Sequence, residues 1–179
     1  AHVTYPASFQ LIAAMNPCRC GYLGDPDMEC TKAPRCGGEY QNKLSGPLLD
    51  RIDIQVEVGA VSISDLSDNM GDGEKSSAVA MRVKAVRQKQ EERYKSFGAR
   101  ADGILTNAQA TTEILEEVAH MDEKTKTMFV NAAERMKLSA RAYHRLMKVA
   151  LTIADMAGRD IILSQDVAEA LFYRRLRVS

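Results

Sequence analysis

Two hydrophobic periods divide the chain. Residues 9–15, FQLIAAM, form a nearly unbroken apolar run, the signature of a strand buried on both faces of a parallel sheet. Residues 52–58, IDIQVEV, alternate instead. Ile52, Ile54, Val56 and Val58 share one face while Asp53, Gln55 and Glu57 share the other, as in a half-buried strand. Between them SGPLLDR (45–51) has room for about one and a half helical turns. Two strands do not make a stable sheet alone, so further strands belong beside them and the chain reads as a piece of something longer.

Residues 59–75 are rich in Gly, Ser and Asp and read as a linker. Beyond them the period becomes helical. One helix runs from Ser76 towards Gly98, a residue suited to the left-handed position after a helix. A second, NAQATTEILEEVAHM, has Asn107 as its expected N-cap, and Asp122 caps a third in which Thr125, Phe129, Ala132 and Met136 recur at helical spacing. Ser139 caps the fourth, which carries the stripe Tyr143, Leu146, Ala150, Ile153 and Ala157 and ends at Gly158. Ser164 opens the last, and Arg174, Arg175 and Arg177 suit the negative end of its macrodipole. The expected fold is an α/β fragment over 1–58, interrupted by a cysteine-rich insertion at 18–36, then the linker 59–75 and a mainly-α bundle over 76–179.

Composition narrows the function. With 45% hydrophobic and 27% charged residues in 179, a folded core is expected. The formal net charge of +0 gives no support to a free-standing nucleic-acid binder, which usually carries a basic excess. No apolar run approaches the length of a membrane span, and the first ten residues lack the regions of a secretory signal. A cytoplasmic protein is expected, with its cysteines reduced or metal-bound.

Four positions invite chemistry. Cys18, Cys20, Cys30 and Cys36 crowd into nineteen residues and match in number a closed tetrahedral zinc site. The Cys-x-Cys spacing is tighter than the usual knuckle, which leaves free thiols and disulfides as alternatives. Asn16 ends the first apolar run, where open α/β sheets place their ligands, although Asn-Pro is also a common turn initiator. Arg51 stands between a short helix and a strand, a rigid perch for a guanidinium offered to a phosphate, or a solvated surface position. Arg141, Arg145 and Lys148 share one helical face, which could equally be an ordinary charged surface. Arg141 falls in the first turn, where the macrodipole disfavours a cation unless an anion is held close.

Taken in order, FQLIAAMNPCRCGYLGDP, LSGPLLDRIDIQVEV, LSARAYHRLMKVALTIADMAG and DVAEALFYRRL resemble the C-terminal half of the ComM/YifB-type, magnesium-chelatase-like AAA+ ATPases. The resemblance extends over nearly the whole chain, with only 59–75 carrying no motif. It implies that residues 1–58 are the C-terminal part of an AAA+ P-loop core and 76–179 its helical lid. Asn16 would be the sensor-1 residue that helps place the attacking water. Arg51 would be an arginine finger reaching the neighbouring protomer's ATP in a hexameric ring. Arg141 would be the sensor-2 arginine on the protomer's own ATP, with Arg145 as a second nucleotide-binding cation. The four cysteines would hold structural zinc, although the family's second Cys-x-Cys pair is altered here, with Lys32 in place of one thiol and the fourth at Cys36. The resemblance implies Mg²⁺-dependent ATP hydrolysis driving DNA remodelling, a helicase or branch-migration activity. A magnesium-porphyrin chelatase motor is the alternative, which the cysteine insertion disfavours, and a zinc-stabilised interaction module is another. The chain contains no G-x-x-x-x-G-K-[ST] loop and no acidic Walker-B run, so these residues alone are expected not to hydrolyse ATP.

Overall fold

A computed structural model describes residues 2–5, 9–25, 27–59, 61 and 73–174. Most of the linker expected at 59–75, together with Arg175 and Arg177, lies outside the described residues. Among the described residues the chain forms seven α-helices: α1 Arg35–Gln41, α2 Gly46–Leu49, α3 Ser76–Lys95, α4 Thr112–Val118, α5 Glu123–Arg135, α6 Ala140–Met156 and α7 Ser164–Phe172. Two 3-10 turns, Gly98–Ala101 and Asn107–Gln109, follow α3. The chain divides into two compact units: Ala1–Gly46 with Arg177–Ser179, and Pro47–Leu176.

The two strands expected at 9–15 and 52–58 do not form among the described residues, where an isolated parallel bridge between Met121 and Ile162 is the β pairing found. Both segments lack regular secondary structure and are largely exposed. Phe9 is 79% and Ile12 86% exposed, and Val56 and Val58 are 57% and 84% exposed. The physical reason is the one that limits any strand: its backbone donors and acceptors need a neighbouring strand, and neither segment has one among the described residues.

The helical unit has a well-defined centre. Tyr94 from α3, Ile114 and Leu115 from α4, Phe129 from α5, Leu146 and Leu151 from α6, and Ile162 and Val167 around α7 form a single buried cluster. Helix α6 packs against α7, α3 and α4, and α5 packs against α7. The core face of α6 is broader than the predicted stripe. Ala142, Met147, Leu151 and Ala154 join Leu146 and Ala150 inside, whereas Ala157 is exposed. On α5 the buried line is Thr125, Phe129 and Ala133, so the face follows the i+4 rows and leaves Met136 37% exposed.

The helix ends follow local chemistry. Ser139 caps α6, its Oγ accepting from the Ala142 N–H at 3.2 Å. At the other end the Gly158 N–H donates to Asp155 O and the Arg159 N–H to Ala154 O, both at 2.9 Å, with Gly158 at φ +74. This paired closure requires a left-handed residue, which glycine adopts without a Cβ clash. Asp122 caps α5 through the Thr125 N–H at 2.7 Å, and hydrogen bonding there holds its carboxyl below the ordinary carboxylate range. Ser164 does not cap α7. Its hydroxyl instead meets Thr125 Oγ1 at 3.0 Å, while Asp166 Oδ2 accepts the Leu163 N–H at 2.8 Å.

The helix expected to start at Asn107 is broken in two. A 3-10 turn occupies Asn107–Gln109, and α4 begins at Thr112 with Thr111 as its cap. Asn107 is drawn inward instead. Its Oδ1 accepts from Tyr94 Oη at 2.7 Å and Arg93 Nη1 at 3.1 Å, and its Nδ2 donates to Asp155 Oδ2 at 2.8 Å and Thr152 Oγ1 at 3.0 Å. Asp155 also takes both ends of the Arg93 guanidinium and the Gln90 amide, so every buried polar atom in this knot is partnered.

Candidate functional site

In the first unit, Gly21 makes the turn that gathers the cysteines: its N–H donates to Cys18 O at 3.2 Å and its φ of +88 lies in the left-handed region. Helix α1 then carries Cys36 inward, fastened by Gln41 Nε2 donating to Pro17 O at 3.1 Å. The Sγ atoms of Cys18, Cys20 and Cys36 all lie within 4.8 Å of one another, and those of Cys18 and Cys20 are 3.1 Å apart. Cys30 is not one of the three clustered thiols, but it is electrostatically linked to Cys36 and Cys20. The Lys32 backbone N–H and those two thiols hold Cys30 below its ordinary pKa. Burial pushes Cys36 up to about 12, with Cys30 and Cys18 adding to the rise. Four thiols that cannot all ionise together are what a soft dication would relieve. Zn–S bonds of about 2.3 Å place tetrahedral sulfurs roughly 3.8 Å apart, within reach of this spread. Cys18, Cys20 and Cys36 could hold a metal ion, with Cys30 as the fourth thiol beside them.

Asn16 lies in the same unit, exposed, its Nδ2 3.8 Å from where a Cβ on Gly21 would sit.

The second unit holds the arginines. Arg51 is exposed, and its Nη1 donates to Pro47 O at 2.7 Å across α2. Around it the chain is fastened to the helices at four points. Ser139 Oγ donates to Asp50 Oδ2 at 3.0 Å. Arg145 Nη1 donates both to Arg51 O at 2.8 Å and to Asp53 Oδ1 at 2.6 Å. The Gln55 N–H donates to Tyr173 O at 2.8 Å. Arg174 Nη2 stands 4.0 Å from Asp50 Oδ1, with its side chain only 6% exposed. Burial draws the Arg174 guanidinium below its ordinary pKa, which Asp50 and Asp53 partly offset, and its Nη1 has no partner among the described residues.

The basic face of α6 is therefore not uniform. Lys148 Nζ donates to Ala108 O at 2.9 Å, and burial followed by the charge of Arg145 lowers its pKa. Arg145 is taken up by Asp53 and the Arg51 carbonyl. Arg141 is exposed in the first turn, and its guanidinium has no partner among the described residues.

A family model described as magnesium chelatase, subunit ChlI C-terminal, matches residues 73–174, more than half of the chain. The chain belongs to this family. The model for magnesium chelatase, subunit ChlI, matches residues 1–66. Individual relatives agree. The chain is 36% identical over 176 residues to the uncharacterized protein YifB of Escherichia coli, covering 98% of this chain and 33% of the relative. It is 36% identical over 177 residues to the competence protein ComM of Haemophilus influenzae, covering 98% and 32%. YifB of Salmonella typhimurium is 39% identical over 176 residues, covering 98% and 33%. The chain thus spans about a third of the length of the curated relatives it matches, and it is a magnesium-chelatase-like protein of the ComM/YifB type.

Within this magnesium-chelatase-like chain, the structure brings Arg51, Arg145 and the N-terminus of α6 together, and it gathers the cysteines in the first unit. Sequence reasoning missed Asp50 and Asp53. They flank Arg51 in LLDRID, and their alternation with the arginine was the available signal. It also read Arg174 as a helix-end cation, whereas its side chain is buried beside Asp50. No helix among the described residues is long and apolar enough to cross a membrane.

Proposed function

We propose that this chain is the sensor-1, finger and lid portion of a ComM/YifB-type AAA+ ATPase that assembles as a hexameric ring and remodels DNA by ATP hydrolysis. The observation that carries the reading is the condition of Arg141. It is the one member of the α6 basic face left without a partner among the described residues, and it sits where a cation is electrostatically misplaced unless an anion joins it. A nucleotide phosphate is such an anion.

In this reading residues 1–58 are the C-terminal part of an α/β core, 59–75 is the linker and 76–179 is the lid. The exposed apolar residues of 9–15 and 52–58 support that division, because they have the pattern of strands and no ladder partner. Phosphoryl transfer is catalysed chiefly by positioning and by stabilising charge on the transferring group. Arg141 would neutralise phosphate charge on the protomer's own ATP, Arg51 would do so on its neighbour's, and Asn16 would orient the attacking water with an amide that both donates and accepts. Mg²⁺, when bound with ATP, supplies further charge neutralisation. The thiolate site would pin the insertion through structural zinc. The name of the Haemophilus relative, a competence protein, supports work on DNA during transformation.

Steady-state ATP hydrolysis by the full-length protein tests this. Arg51→Ala and Arg141→Ala should each lower kcat by about 10³-fold or more. Turnover unchanged in both variants would reject the reading in favour of a zinc-stabilised interaction module.

A further inference from the structure

The chain carries a formal net charge of +0, yet one helix gathers cations without their counterparts. Between Lys75 and Gln90 stand Lys75, Arg82, Lys84, Arg87 and Lys89, and no carboxylate. A solvated helix gains stability by interleaving Glu with Lys or Arg at i, i+4, whereas like charges that close repel. The structure sorts these cations by face. Arg82 meets Glu74 at 2.7 Å, and Lys89 meets Asp160 at 2.9 Å and Asp155 at 3.7 Å, so this side of α3 is neutralised. Lys84 and Arg87 lie about 150° round the helix from them, at i and i+3, and both are exposed. Neither has a hydrogen bond or ion pair among the described residues. This part of α3 also stands clear of the bundle. The helix buries only Gln90 and Tyr94, near its C-terminal end. Its exposed valines, Val79 and Val83, line up with those two residues rather than with Lys84. Beside Lys84 and Arg87 the helix surface is Ser77, Ala80 and Gln88, all exposed and small or polar. A protein interface draws on aromatic anchors at its centre, and this face offers none. A phosphate backbone needs only cations at neighbouring positions, and side chains at i, i+3 lie about 5–6 Å apart at Cβ.

We infer that the Lys84–Arg87 face of α3 is a DNA contact that takes up the phosphate backbone without reading base sequence. This rests on the DNA-acting function proposed above and gives it a surface, on a helix other than the one that bears Arg141. Lys84 and Arg87 each meet a phosphate, and the anions relieve the repulsion between two like charges one turn apart. Arg82 takes no part, because Glu74 already holds it.

Salt titrations of the full-length protein on a fluorescein-labelled DNA duplex, read by fluorescence anisotropy, test the contact. Each lost phosphate contact lowers the slope of log K against log salt by about 0.9 on duplex DNA. Lys84→Gln/Arg87→Gln should therefore lower it by about 1.8 and weaken binding about tenfold or more at about 0.1 M salt. The loss should be the same on A·T-rich and G·C-rich duplexes, since phosphate contacts carry no sequence information. Arg87→Gln alone should lower the slope by about 0.9, whereas Arg82→Gln, which removes the same charge from the neutralised side, should leave it unchanged. Glutamine keeps the helix propensity of these positions, and far-ultraviolet circular dichroism of each variant checks that α3 is intact. An unchanged slope in the double variant, a loss confined to one sequence, or an equal fall in Arg82→Gln overturns the inference. So does a double variant that binds DNA as before but loses affinity for polyglutamate, which would assign the face to an acidic protein. A wild-type protein with no affinity for DNA overturns the proposed function and this surface with it, so the two failures are distinct.

Discussion

The buried knot around Asp155 offers the most quantitative test of how the helical unit is held. The perturbation is Arg93→Met, which keeps the aliphatic stem and deletes the guanidinium. In the native protein the Asp155 side chain is 0% exposed and Arg93 is 14% exposed. The carboxylate would keep Gln90 Nε2 at 3.1 Å and Asn107 Nδ2 at 2.8 Å, with Lys89 Nζ at 3.7 Å as the remaining cation. Stranding one partner of a buried ion pair costs about 3–5 kcal/mol. The nearby lysine and the partial exposure of Arg93 place this case at the lower end, about 3 kcal/mol. That is a large share of the roughly 5–15 kcal/mol that stabilises an ordinary domain. At about 2–4 °C per kcal/mol for a chain of this size, the midpoint should fall by roughly 6–12 °C. Urea and thermal unfolding of the chain, followed by far-ultraviolet circular dichroism, measure both quantities. Arg93→Met/Asp155→Asn should lose less than the single variant, since it removes the stranded charge. A loss below about 1 kcal/mol in Arg93→Met, the value of a solvated surface pair, would refute the reasoning.

Two further outcomes follow from the geometry. Burial raises the Asp166 pKa, but hydrogen bonds from Arg159 at 2.6 and 2.7 Å and from the Leu163 N–H outweigh it and hold the carboxyl below its ordinary value. Its stabilising contribution is therefore complete above the unfolded pKa of about 3.9 and is lost as pH falls through the lower folded value. Asp166→Asn should flatten the acid limb of a stability–pH profile below about pH 4, and an unchanged limb would contradict the assignment. Metal analysis of the purified chain should find about one zinc per molecule, lost in Cys18→Ser and Cys36→Ser. Four freely titrating thiols and no metal would refute a thiolate site.

Much of the helical unit could be read directly. Ser139, Asp122 and Gly158 announce helix ends because capping is a local contract between one residue and the three or four beside it. The errors arose where a residue's partner lies far along the chain. Asn107 has the chemistry of an N-cap, but Tyr94, Arg93, Thr152 and Asp155 offer it more bonds inside, and the helix breaks to deliver it there. Ser164 opens the last helix as expected, while its hydroxyl turns to Thr125. The apolar segments 9–15 and 52–58 have strand pattern without strand structure, since periodicity records which face is to be buried and not whether the burying surface is present.

The sequence by itself determined the family, the cysteine cluster and the arginine-bearing motifs, because these depend on residue type and order along the chain. Only the tertiary structure decided what each arginine is free to do. Arg51, Arg141, Arg145 and Arg174 carry the same guanidinium, but one is exposed across α2, one has no partner among the described residues, one grips Arg51 O and Asp53, and one is buried beside Asp50. The difference lies in which carboxylates and carbonyls the fold brings within about 3 Å, and hydrogen bonding at that range is set by distance in space rather than by separation in sequence.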